Sequence, residues 1–140
     1  MEIGEKIKLI EKIGYNGELF AIIIRCSFSP KGTSFITSND NFLQVGVFVH
    51  EQGKQITPHF HKEFARSINL TQEVLHLEYG KIEASFFKEG KEVAKSVLSG
   101  GDTIILLNGG HGFNALEETK MIEVKQGPYS GHDKDKEMIF

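Results

Sequence analysis

Short runs rich in Val, Ile, Leu and Phe recur along the chain, separated by clusters of Gly, Asn, Asp and Lys, and this is the signature of strands joined by turns. The clearest runs cover residues 19–25, 42–50, 72–79, 81–87, 92–98, 102–107 and 119–125. Lys88-Glu89-Gly90-Lys91 reads as a hairpin turn, because glycine takes positive φ freely, so the runs on either side pair antiparallel. Ile3, Ile7, Ile10 and Ile13 fall at helical spacing, yet β-branching and the turn-forming residues 14–17 favour a strand. Residues 27–41, with their Ser, Pro, Gly, Thr, Asn and Asp, read as a long loop. In the run that starts at Glu73, alternation puts Glu73 on the same face as Leu75 and Leu77. A carboxylate on an inward face is costly unless it is paired or bound to metal. Many short antiparallel strands must close on themselves or pack as two sheets to cover apolar faces and edges, so the expected fold is all-β.

Composition narrows the function classes. A chain of 140 residues, 39% hydrophobic and 25% charged, fits one soluble globular domain spanning 1–140. A formal net charge of -3 offers no basic footprint, which argues against nucleic acid as a partner. Cys26 is the only cysteine, so no intrachain disulfide and no thiolate cluster can form, which excludes zinc-finger readings. A reducing compartment fits that usage. No apolar run approaches the ~20 residues that span a bilayer, and residues 1–10 alternate charge with apolar groups instead of forming a signal-peptide core. The expectation is a cytoplasmic protein with no membrane partner.

Candidate chemistry gathers at His59-Phe60-His61 and at His111. In extended chain His59 and His61 project to one side and Phe60 to the other. Two imidazoles side by side, joined by a carboxylate, suit a transition metal with coordination positions left open. The flexible Asn108-Gly109-Gly110 stretch could bring His111 close to that pair. His50, His76 and His132 read instead as hydrogen-bonded structural histidines, and Phe86, Phe87 and Phe113 as packing groups.

These residues resemble the two motifs of the cupin superfamily. Gly53, five residues, and His59-Phe60-His61 match the first half of its first motif; Glu73, six residues, and Gly80 match the second half. Gly100-Gly101-Asp102-Thr103 through His111 resembles the second motif, so the likeness covers 53–80 and 100–115. The resemblance implies a jelly-roll barrel (double-stranded β-helix) in which His59, His61, Glu73 and His111 hold a divalent transition metal, Zn, Fe, Mn or Ni. The chain departs from the pattern in a longer gap between His61 and Glu73, which leaves Glu63 as a substitute ligand, and in Leu106, Asn108 and Ala115 at the usual Pro, Gly and Asn positions.

The chain is also similar to small cupins of nucleotide-sugar and surface-polysaccharide biosynthesis, through Thr71-Gln72-Glu73-Val74, Gly101-Asp102, Gly110-His111-Gly112 and Lys125-Gln126-Gly127-Pro128-Tyr129. That resemblance implies a homodimeric isomerase or epimerase of a sugar or sugar nucleotide. Glu2 to Ile13 would then add to a partner's sheet edge. Tyr129 and Glu63 are the candidate bases, while Arg66, Lys125 and Gln126 are candidate substrate contacts. Three other readings stay open: a sugar ketoisomerase in which histidine moves the proton without metal, as the His-x-His-Lys stretch at 59–62 resembles; an Fe(II) dioxygenase; and a non-catalytic sugar-binding or accessory protein.

Overall fold

The computed structural model describes residues 9–140, and within them the chain forms two compact units. The larger unit is a two-layer β-sandwich built from residues up to Phe28 and from Thr71 onward. Its strands are β1 (Ile10–Tyr15), β2 (Glu18–Ile24), β5 (Glu73–Tyr79), β6 (Lys81–Lys88), β7 (Lys91–Ser99), β8 (Thr103–Leu106), β9 (Gly110–Ala115) and β10 (Lys120–Lys125), followed by a single helical turn, α1 (His132–Asp135). One sheet has the order β1-β2-β8-β5-β10 and the other β7-β6-β9. Every pairing is antiparallel.

Period-two alternation fixes what each sheet buries. From the first sheet Ile13, Ala21, Ile23, Leu75, Leu77, Ile104 and Leu106 point inward, and from the second Ile82, Ala84, Phe86 and Leu98 meet them. Phe20 joins this core through a bulge: Ile13 pairs with Ala21 and Gly14 with Leu19, so Phe20 has no partner across the ladder and tips inward. Its carbonyl accepts the Leu107 N–H at 2.8 Å. The β6–β7 turn has Glu89 at φ 52 and Gly90 at φ 76, the pair of positive values that a tight hairpin matching sheet twist requires.

The smaller unit, Ser29–Leu70, holds one hairpin of β3 (Gly32–Phe35) and β4 (Gly46–Val49), followed by a long irregular segment. Thr37 is its only buried residue among those described.

The seven runs expected from the sequence all contain strands. Three details differ. Residues 27–41 are not a continuous loop, because β3 lies within them and pairs with β4, whose four residues occupy only the end of the 42–50 run. His111 sits in strand β9, where glycine-rich composition had concealed the strand. Residues 59–61 lie in irregular chain and not in a strand. The expected N-terminal strand is seen from Ile10, where it pairs with β2 of the same chain, and the earlier residues of the proposed exchange segment lie outside the described ones. The architecture is nearly all-β, and the described strands form three separate sheets instead of a closed barrel. No described helix is long and apolar enough to cross a membrane.

Candidate functional site

In the sandwich, Glu73 opens β5 opposite Leu106 and faces inward with Leu75 and Leu77, as alternation requires. His111 is the register partner of Phe86, so it projects from the same face of the second sheet, at its edge, where a third of its side chain stays open to solvent. The two side chains therefore approach from facing layers, with His111 Nε2 3.7 Å from Glu73 Oε2. Gly109, at φ 74, makes the approach feasible: a Cβ there would press on the Phe20 ring at 3.3 Å, in a backbone conformation that side chains disfavour.

The electrostatics around this pair are unbalanced. Glu73 is pushed up to about 7, first by burial and then by the charge of Glu123, with which it shares a hydrogen bond; Lys125 and Lys136 pull the other way. Glu123 lies diagonally across the β5–β10 ladder, opposite Leu75, while Lys125 is directly opposite Glu73. His111 is held below the usual imidazole range, mainly by burial, assisted by Lys136 and opposed by Glu123. At neutral pH the pair is thus an imidazole without its proton beside a carboxyl close to its midpoint, the states a metal ligand or a proton relay needs.

Further polar groups line the same end of the sandwich. Lys125 Nζ binds Asp135 Oδ2 at 3.1 Å and lies 5.3 Å from the centre of the Tyr129 ring. Tyr129 itself is exposed. Gln126 Oε1 accepts the Gln72 N–H at 2.8 Å, which orients the amide, and its buried Nε2 has no hydrogen-bond partner among the described residues. A buried donor without a partner normally costs stability and points to something that binds it.

The remaining expected site residues belong to the smaller unit. His59 and His61 stand with ring centroids 5.2 Å apart, and His59 Nδ1 is 2.8 Å from the Thr57 carbonyl oxygen, which favours a protonated Nδ1 and leaves Nε2 as the outward lone pair. Arg66 stacks on Phe64, 3.6 Å from the ring centre. Glu63 is exposed in the same segment. The residues expected to gather around a metal thus appear as two pairs, Glu73 with His111 in one unit and His59 with His61 in the other. Within neither unit do three or more His, Cys, Asp or Glu among the described residues form a metal-holding group.

Sequence reasoning passed over Glu123 and Asp135. Alternation along the last strand run places Glu123 and Lys125 on one face, so Glu123 was recoverable once that strand was placed beside β5. Asp135 carried no signal. His76 fulfils its structural expectation, with Nδ1 2.8 Å from Thr103 Oγ1. Compared with protein-family models, with curated proteins and with solved structures, the chain matches none, so the reading of this site rests on its own residues.

Proposed function

We propose that this protein is a metal-binding β-sandwich of the cupin type that acts on a small oxygen-rich substrate, such as a sugar or sugar nucleotide, as an isomerase or epimerase. The observation that supports this best is the meeting of Glu73 and His111 from opposite sheets at one end of an apolar core. Their 3.7 Å separation is too long for a hydrogen bond. It is close to the roughly 3.0–3.4 Å that separates two ligands on one cation with bonds of ~2.1 Å. A neutral imidazole and a carboxylate short of positive charge form a donor set suited to Zn, Fe, Mn or Ni, and His59 and His61 supply further imidazoles.

A bound divalent ion supplies Lewis acidity toward a carbonyl or enediolate oxygen of the substrate. The chain's own groups do the rest. Gln126 Nε2 is a fixed donor for a substrate oxygen, Lys125 offers positive charge, and Tyr129 beside that ammonium is the base candidate in the sandwich. Glu63 and Arg66 are the corresponding groups of the smaller unit.

A second reading draws on the hydrogen-bonded Glu73 and Glu123 carboxyl groups, which can hold and pass a proton near neutral pH without metal. Elemental analysis of freshly purified protein separates the two. Bound metal in the wild type, lost in Glu73→Gln and in His111→Ala with a fall in affinity of about 10- to 100-fold or more, supports the metal reading. Equal metal content in wild type and both variants removes it. Exchange of a substrate carbon-bound proton with solvent, without oxygen uptake, distinguishes isomerisation from dioxygenase chemistry and from simple binding.

A further inference from the structure

The two sheets of the sandwich leave an opening along one side. The five-stranded sheet ends at β10 and the three-stranded sheet at β9, and each of these pairs on one edge only among the described strands. Glu73 lies one strand in from β10, His111 lies on β9, and their side chains come within 3.7 Å of each other. The two edges therefore face one another across the entrance to the candidate site. Sheets that do not close on themselves need a cover over such edges.

Residues 131–140 run across that entrance. No residue of α1 is buried, yet the Asp135 side chain is only 15% exposed, because it turns in to meet Lys125 Nζ at 3.1 Å on the inward face of β10. Four residues later the chain has reached the other sheet. The Ile139 side chain occupies the space over Gly110, where a Cβ would come within 2.5 Å of its Cδ1, and the Phe140 and Phe87 rings meet edge-on with centroids 5.7 Å apart. Gly110 is the register partner of Phe87, which alternates with the inward Phe86, so both contacts lie on the outer face of that sheet. The segment thus starts on the inner side of β10 and passes over the edge of β9 to its outside. Four residue steps of at most ~3.6 Å are enough for that crossing. The positive charge of Lys136, in the middle of it, acts on both Glu73 and His111.

The hold is slight. It rests on an ion pair and on apolar side chains that stay largely in solvent, with Ile139 39% exposed and Phe140 94%. Segments with so little buried surface open far more readily than the sheets they lie on. Beneath the crossing, a third of the His111 side chain is open to solvent but only 11% of the Glu73 side chain. The imidazole can be reached from outside while the carboxyl cannot.

We infer that residues 131–140 form a displaceable strap, latched by Asp135 on Lys125 and by Ile139 on Gly110, which closes the β9–β10 side of the site and lifts to admit a ligand to Glu73. Lifting also frees the Lys125 ammonium for a ligand oxygen. That consequence rests on the function proposed above; the strap itself does not.

The test reads access to position 73 in the full chain. Cys26→Ser removes the native thiol and Glu73→Cys places one beneath the strap, and its reaction with N-ethylmaleimide is followed by mass spectrometry in the presence of EDTA, so that metal plays no part. Adding Asp135→Asn and Ile139→Ser, separately and together, raises the labelling rate by about tenfold or more in the double release. Both substitutions lie on the strap, which leaves the core of the sandwich unaltered, and equal amide protection of β5 and β8 in parent and variants verifies this. Ile139→Ser changes no charge, so a rise in that variant cannot come from a shifted thiol pKa. In a chain that keeps Glu73 and Cys26, the same pair of strap substitutions speeds hydrogen exchange at the amides of Asp135 and Lys136, which bond to the Gly131 and His132 carbonyls. A labelling rate within about twofold of the parent's after double release overturns the strap, as does a parent thiol that reacts as fast as a fully exposed one. Metal content is measured separately on the wild type. Its absence there counts against the proposed function and leaves the strap to be decided by the labelling.

Discussion

The two ends of the sandwich bury acidic groups in opposite ways. At one end Asp102 is saturated: its Oδ1 accepts the Cys26 N–H at 2.8 Å, and its Oδ2 accepts the Ser99 N–H at 2.9 Å and Arg25 Nη1 at 3.1 Å. Arg25 also donates to Glu11 at 2.5 Å and to the Val97 carbonyl at 2.8 Å, tying β1, β2, β7 and the start of β8 together. At the other end Glu73 faces a second carboxylate and an imidazole that burial keeps neutral, and the charges of Lys125 and Lys136 offset this only in part. Both acids are buried by the same pair of sheets. The difference is that one end spends its polar groups on each other, as structural clamps do, while the other leaves them partly unsatisfied, as binding sites do.

Breaking the saturated end has the largest expected effect on stability. Asp102→Ala leaves two backbone N–H groups without their acceptor and removes one of the two carboxylates that Arg25 holds, and it costs about 2–4 kcal/mol in urea-induced unfolding. A cost under about 0.5 kcal/mol would mean the clamp is not what holds this end.

Glu73→Gln moves the opposite way. Because the folded-state pKa of Glu73 lies above its unfolded value, the folded protein binds the extra proton, and stability falls as pH rises from about 4.5 through about 7. The metal-free Glu73→Gln variant lacks that decline and is more stable than wild type at pH 8 by an amount of the order of 2–3 kcal/mol. His111 contributes with opposite sign, its depressed value making it lose stability as pH falls below about 6.5, so the wild-type minus Glu73→Gln difference is the quantity to follow. A difference that does not change with pH would place Glu73 among ordinary surface carboxylates.

The smallest effect sharpens the electrostatic half of the comparison. Lys125→Met removes one of the charges that pull Glu73 downward, and it frees Asp135. The Glu73 carboxyl resonance in NMR then titrates at higher pH than in wild type, with little change in unfolding midpoint. A downward move would show that Lys125 does not face the site.

Most strands were legible because their apolar residues alternate, and burial acts on a period of two. The inward placement of Glu73 followed from the same count. β3 and β9 were not legible. Residues 32–35 and 110–115 are dominated by Gly, Ser, Thr and Asn, whose local preference is for turns, and they become strands only because β4 and β6 offer ladders to pair with. The Glu123 contact was hidden for a similar reason, since it depends on the β5–β10 register, which is set by a bulge after Lys120.

The sequence by itself determined the all-β character, the hairpin at Gly90, the inward carboxylate and the histidine spacing, because each depends on local periodicity or on one residue's own conformational range. Only the tertiary structure decided that Glu73 meets His111, that Glu123 comes close enough to raise Glu73, and that Arg25 and Asp102 close the opposite end. Those outcomes depend on which strands become neighbours and in what register, and cross-strand and cross-sheet contacts have no signature in the residues immediately beside them.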